Sequence, residues 1–195
     1  MTQYDARIAA PAERQTVLNT LLLAFSADPC VRYMFPKADA YVAGYPRLAA
    51  AMGGAALEHG AAYIADEGAA AALWLPPGVG SDRDALNAVI GELAPPERLE
   101  VLGAVGEGLA QYHPQTPHWY LAMIGVDPSR QGQGLGSALL KQALRRCDAE
   151  GAVAYLESSN PLNTPLYERH GFEVMGLVQP KDFPPLVPML RPARA

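Results

Sequence analysis

Residues 131–137, Gln131-Gly132-Gln133-Gly134-Leu135-Gly136-Ser137, stand between an apolar run ending at Val126 and a helical pattern that begins near Leu135. Glycine at 132, 134 and 136 strips side chains from the loop, so successive backbone N–H groups can converge on one bound group. The start of a helix adds about half a positive charge and several donors without partners. Phosphate or pyrophosphate is the natural guest. A plain glycine turn would require neither the alternation nor the strand and helix on its two sides.

Two phosphate-binding patterns compete for this loop. A dinucleotide fingerprint counted from Gly132 would need its third glycine where Ser137 stands, although Glu157, about 20 residues on, suits an acid that holds a ribose. Such domains usually open with this unit, whereas here it arrives after two thirds of the chain. The nucleotide-triphosphate loop is excluded because no Gly-Lys-Ser/Thr ending is present.

The chain of 195 residues is half apolar, with 8% aromatics, which predicts a sizeable core and favours one domain over residues 1–195. A net charge of -5 without any basic run argues against nucleic acid as a partner. Cys30 and Cys147 stand far apart in no metal-type spacing, which suits a reducing, cytoplasmic setting and predicts no metal site. Residues 17–25 follow Asp5 and Glu13 and not a basic leader, so they read as a helix face and not a signal peptide. No stretch reaches the roughly 18 apolar residues of a membrane span, so no membrane partner is expected.

Periodicity places a short strand near Ile8, a helix from Pro11 carrying Val17, Leu18, Leu21, Leu22 and Phe25, and a stop at Asp28-Pro29. A second helix is predicted over 47–59, then strands over 61–66 and 69–75 joined tightly through Glu67-Gly68. Helices follow over 81–91, capped at Ser81, and over 96–112. A strand over 118–126, a helix over 134–150 stopped by Gly151, a strand over 153–157, a short helix over 164–170 and extended stretches over 172–178 and 186–190 complete the order. An α/β layered fold with a partly antiparallel sheet results, the strands near 118–126 and 153–158 being parallel and residues 78–117 forming a helical insertion.

The loop resembles the acyl-CoA motif of the GCN5-related N-acetyltransferase (GNAT) family, Gln/Arg-x-x-Gly-x-Gly/Ala, here Gln131 to Gly136. Ile124-Gly125-Val126-Asp127-Pro128 is similar to that family's fourth strand and exit turn. Downstream, Asn163, Tyr167, Glu168, Gly171 and Phe172 match its late Asn-x-x-x-Tyr-Glu-x-x-Gly-Phe signature. Residues 24–29, 64–74 and 156–159 resemble the branch that contains puromycin N-acetyltransferase. The resemblance is strongest over 119–172 and weakest over 78–117. It implies a GNAT-like mixed sheet of about six to seven strands flanked by helices.

It further implies acetyl-CoA as acyl donor and a small-molecule amine as acceptor, with direct transfer and no covalent enzyme intermediate. Ile124, Gly125 and Val126 would meet the pantetheine arm as if it were an added strand, and an amide near Val126 could polarise the thioester carbonyl. The N–H groups from Gln131 to Ser137 would hold the pyrophosphate. Tyr167 is the expected acid for the departing thiolate; its alternative is a ring packed under the strand ends. Asn163 is expected at the cofactor or in the loop before that tyrosine, with Asn160 its rival.

An ammonium acceptor must lose a proton before it attacks, and Glu157 is the first candidate base. Pairing with a basic neighbour is its ordinary alternative. Asp28 and Glu67 read as helix-end and turn residues, and His113 and His118 as surface or structural. Trp74 and Tyr120 could wall an acceptor pocket, although such residues more often fill a core. His59, Arg130, Glu168 and Arg169 suit helix ends or solvated faces, with Arg130 also near enough to the loop for a phosphate. A protein or peptide N-acetyltransferase and a non-catalytic acyl-CoA-binding module are the alternatives; the oligomer is a monomer or homodimer.

Overall fold

The computed structural model describes residues 4–194. Its mixed sheet contains seven strands: β1 (Ala6–Ile8), β2 (Ala62–Ala65), β3 (Ala70–Leu75), β4 (His118–Val126), β5 (Val153–Ser158), β6 (Glu173–Val174) and β7 (Val187–Arg191). They lie in the order β1-β2-β3-β4-β5-β7-β6, in a mixed sheet of the predicted kind. Only β4 and β5 run parallel, joined by the crossover helix α7 (Leu135–Ala149). The remaining helices are α1 (Arg14–Ala24), α2 (Pro29–Met34), α3 (Ala38–Gly53), α4 (Ala55–Glu58), α5 (Arg83–Leu93), α6 (Leu99–Ala110) and α8 (Thr164–Arg169).

Several boundaries depart from the sequence reading. The helix expected over 47–59 starts at Ala38, runs through Pro46 and gives way at Gly54 to α4. Burial of Tyr41, Tyr45, Leu48 and Ala49 on one stripe holds it across the proline. Asp28 ends nothing: its carboxylate accepts from the Val31 N–H at 3.0 Å and starts α2, with Pro29 in the first turn. Asp82, not Ser81, caps α5 by accepting from the Ala85 N–H, while the Ser81 hydroxyl donates to the Met52 carbonyl. The strand expected over 172–178 contracts to β6 and a lone bridge from Val178 to Leu186, because residues 178–186 turn to pack on α6.

One irregularity sets the geometry of the sheet. Leu73 pairs with Met123 and Trp74 with Leu121, so Ala122 is an extra residue in β4. A bulge of this kind rotates the strand and increases its twist. Before it, Trp119 faces α7, its indole N–H donating to Glu150 at 2.7 Å under the Arg146 guanidinium. Beyond it, Met123 faces α3 and takes the Tyr45 hydroxyl hydrogen on sulfur. The β4–β5 pairing spans only His118↔Val153 to Leu121↔Leu156. β4 stays with β3 as far as Val126, and β5 with β7 as far as Ser158, so the parallel strands part beyond Leu121.

The main core fills the space between the sheet and α1, α3 and α7. A second, smaller core joins Cys30 on α2, Val101 and Val105 on α6, and Val178, Phe183 and Leu186. Its edge is tied by the Arg98 guanidinium over the Tyr33 ring and by Lys181 against Glu100 at 2.8 Å. The helical segment expected over 78–117 is thereby divided: α5 packs against α3, and α6 joins the second core.

Gly125 lets α1 settle onto the opened part of β4: a Cβ there would lie 2.5 Å from the Ala24 Cβ and 3.2 Å from Leu21 Cδ2. Gly125→Ala is expected to destabilise the fold by about 1–3 kcal/mol, measured by chemical denaturation. An unchanged unfolding midpoint would contradict this close contact.

Candidate active site

The turn after β4 is fixed locally. Asp127 accepts from the Ser129 N–H at 2.8 Å and hydroxyl at 2.7 Å, which holds its carboxyl below the usual range, while its own N–H donates to the Ala69 carbonyl. Gly132 and Gly134 then adopt φ of +74° and +93°, a region that side chains avoid. Gly134 is the N-cap of α7, and the first α7 bond closes from the Ala138 N–H to its carbonyl. The N–H groups of Leu135, Gly136 and Ser137 therefore have no partner within the helix. No atom lies within 4 Å of where a Cβ would stand at Gly132 or Gly134, so the loop is an open cradle that fits a pyrophosphate.

Side chains brace that cradle. Leu135 is buried in the core and pins the first turn of α7. Gln133 accepts from the Tyr4 hydroxyl at 3.0 Å and Arg130 Nε at 3.3 Å, and Arg130 pairs with Asp66 of the β2–β3 turn. Gln131 donates to the Val126 carbonyl at 3.3 Å. The Ser137 hydroxyl meets His170 Nε2 at 2.8 Å, and burial beside Lys141, Arg169, Arg191 and Arg194 depresses the pKa of that imidazole.

Tyr167 lies buried on α8, edge-on to Phe172 at 6.2 Å. Burial, and then the charge of Asp28, raise its phenol well above the ordinary value, so it is protonated at neutral pH. Asp28 does more than cap α2: it also accepts from the Ser159 hydroxyl at 2.5 Å, tying the α1–α2 connection to the end of β5. Burial raises the pKa of this carboxyl too. Asn160 accepts from the Leu162 N–H and structures the turn before α8, whereas Asn163 is exposed at the start of that helix.

Glu157 occupies the end of β5, its side chain 11% exposed. The Tyr120 hydroxyl donates to its Oε2 at 2.6 Å, and His113 Nδ1 stands 3.7 Å from its Oε1. Tyr155, opposite Tyr120 in the β4–β5 register, is fully buried and its hydroxyl lacks a hydrogen-bond partner among the described residues. Burial and the Glu157 charge push both phenols upward. Tyr120 thus lines this cluster. Trp74 does not: it is wholly buried within β3 and belongs to the core. Glu67 occupies the β2–β3 turn with φ of +54°, in agreement with the turn reading.

The sequence marks His113 as surface or structural, yet it faces Glu157. The contact spans an insertion with no periodic relation to β5, so no local pattern announces it. Ser159 reaches Asp28 through the short turn after β5, and Tyr155 meets Tyr120 through the β4–β5 register, neither of which a local pattern marks.

The arrangement combines a parted parallel strand pair, an open glycine loop after β4, and a phenol and a carboxylate on the elements that follow. The model of the acetyltransferase (GNAT) family matches residues 98–172. A Corynebacterium glutamicum structure described as histone acetyltransferase HPA2 and related acetyltransferase is 25% identical, covers 100% of this chain and 98% of its own, and superposes with a TM-score of 0.71. The fold is also shared with a mosquito arylalkylamine N-acetyltransferase like 5b (13% identity, 97% of this chain and 100% of that one, TM-score 0.60). Among curated sequences, the N-alpha-acetyltransferase RimI of Mycobacterium tuberculosis is 45% identical over 56 residues, 28% of this chain and 34% of that protein. An uncharacterized N-acetyltransferase of Schizosaccharomyces pombe is 44% identical over 54 residues, 28% of this chain and 22% of that protein. The chain thus spans about a fifth to a third of the length of these curated relatives. The family model thus covers the segment from α6 to the end of α8, and the structural neighbours share the fold over essentially the whole chain.

Gly134→Val places a branched side chain in the left-handed region and in the mouth of the cradle. Affinity for acetyl-CoA, measured by titration calorimetry, is expected to fall about tenfold or more. Unaltered affinity would remove the loop from donor binding.

Proposed function

We propose that this chain is an acetyl-CoA-dependent N-acetyltransferase that acylates the amine of a small molecule by direct transfer. The observation that carries the reading is the parting of β4 and β5, with the open glycine cradle at the start of α7 and Tyr167 and Glu157 on the elements that follow. Bound acetyl-CoA supplies an activated acyl group. Ile124, Gly125 and Val126 would lie along its pantetheine arm, and the N–H groups from Gln131 to Ser137 would hold its pyrophosphate, with Asn163 beside them. An amide near Val126 would polarise the carbonyl.

Glu157 would take a proton from the acceptor ammonium, and Tyr167 would give one to the departing sulfur. A phenol with a raised pKa is a weak acid for a thiolate. Its loss of a proton is therefore coupled to recovery of one from the newly acylated nitrogen. Cys30 and Cys147 are free and buried and take no part as nucleophiles, and they fit a cytoplasmic setting. Residues 78–117 would act as the acceptor-side cover of a single catalytic unit. The resemblance to the puromycin N-acetyltransferase branch belongs to this proposal and fixes no acceptor.

The RimI similarity favours peptide amines as the second reading. Thiol release from acetyl-CoA, with mass detection of product, should be followed for phenylethylamine, tryptamine, spermidine, agmatine and an alanyl peptide. Acylation of a small amine supports the proposal; acylation of the peptide alone favours the second reading, and none at all favours a binding module. Tyr167→Phe is expected to lower turnover at least about a hundredfold with little change in acetyl-CoA affinity. Unchanged turnover would confine Tyr167 to packing.

A further inference from the structure

We propose that His113, delivered by the helical segment before β4, positions Glu157 and is its proton outlet during acyl transfer. The inference rests on the reading of Glu157 as the base. The carboxylate has two polar neighbours of different kinds. Tyr120 is half-buried and donates a hydrogen bond at 2.6 Å, which orients Oε2, while burial and the Glu157 charge hold its phenol proton in place. His113 is 35% exposed and stands 3.7 Å from Oε1. That gap suits a bridging water or a small ring movement.

The imidazole is held in a box of aromatic edges. His118, Tyr120 and Tyr155 lie 4.8, 5.3 and 5.0 Å from it, ring centre to ring centre, at interplanar angles of 74–77°. His118 is itself fixed by the Thr116 carbonyl at 2.8 Å, and burial depresses its pKa. The titratable groups around the pair are thus Tyr120 and Tyr155 from the two parallel strands and His118 from the start of β4. Both phenols and His118 are neutral near pH 7, which leaves His113 as the carrier next to Glu157.

The proton count closes. An acceptor ammonium gives one proton to Glu157, its nitrogen bonds to the acyl carbon, and the carbon–sulfur bond breaks. Tyr167 protonates the sulfur and regains a proton from that nitrogen. Glu157 passes its proton to His113, and His113 releases it to water. One proton leaves per turnover, and Glu157 is again a carboxylate.

His113→Phe keeps an aromatic edge in the box and removes both nitrogens; His113→Gln keeps a polar atom and serves if the first variant unfolds on a thermal melt. Turnover is measured with saturating acetyl-CoA and the fastest acceptor among phenylethylamine, tryptamine, spermidine, agmatine and an alanyl peptide. Turnover is expected to fall about tenfold in either variant, with an unchanged KM for acetyl-CoA, and to recover as imidazole is added at constant pH. Turnover within about twofold of the parent, or a loss that imidazole does not relieve, overturns the role of His113. Glu157→Gln is the control: if it keeps full turnover and the parent pH profile, or if the parent acylates no acceptor, the underlying reading fails. A silent His113 variant beside an inactive Glu157→Gln overturns the outlet alone.

Discussion

The interruption of β4–β5 pairing after Leu121 is the constraint on which the rest of the molecule depends. An opened parallel pair leaves strand groups that must find other partners, because backbone N–H and C=O groups are costly to leave unpaired away from water. The protein manages the opening from several sides. The extra residue at Ala122 twists β4 away while its β3 ladder continues to Val126, and β5 remains anchored by β7. Gln131 serves the Val126 carbonyl, and Gly125 allows α1 to lie directly on the departing strand.

The same opening arranges the chemistry. At one end β4 runs into the Asp127 turn and the left-handed glycines, so α7 presents its unpaired N–H groups beside the gap. At the other, β5 ends in Glu157 to Ser159, where Asp28 reaches across from the start of α2. Tyr167 follows on α8 a short turn later, under the influence of Asp28. The second core ties α2 and α6 to residues 178–186. Its position explains how an insertion remote in sequence brings His113 to Glu157.

Local order made much of this legible in the sequence. The β4 strand, the loop at 131–137, the α7 crossover and the Gly171 stop each depend on neighbours within a few residues, and their patterns carried them. Four features depend on distant contacts that no local pattern carries. α3 continues through Pro46 because its aromatic stripe is buried, and tertiary packing overrode the local signal. Asp28-Pro29 reads equally as a stop or as a cap, and only the Val31 N–H and Ser159 decide between them. Trp74 reads as pocket wall or as core, because composition cannot tell which face of a strand meets a helix, and its complete burial decides for the core. His113 was passed over for a related reason: its partner lies across an insertion whose path no periodicity encodes.

Amide hydrogen exchange with and without coenzyme A tests the central claim, that the gap between β4 and β5 together with the glycine cradle forms the donor site. The account predicts slowed exchange on binding at Ile124 to Val126 and at Gly132 to Ser137, with little change at Ala6 to Ile8 on the far edge of the sheet. Binding without protection of both segments, or protection centred elsewhere, would contradict it.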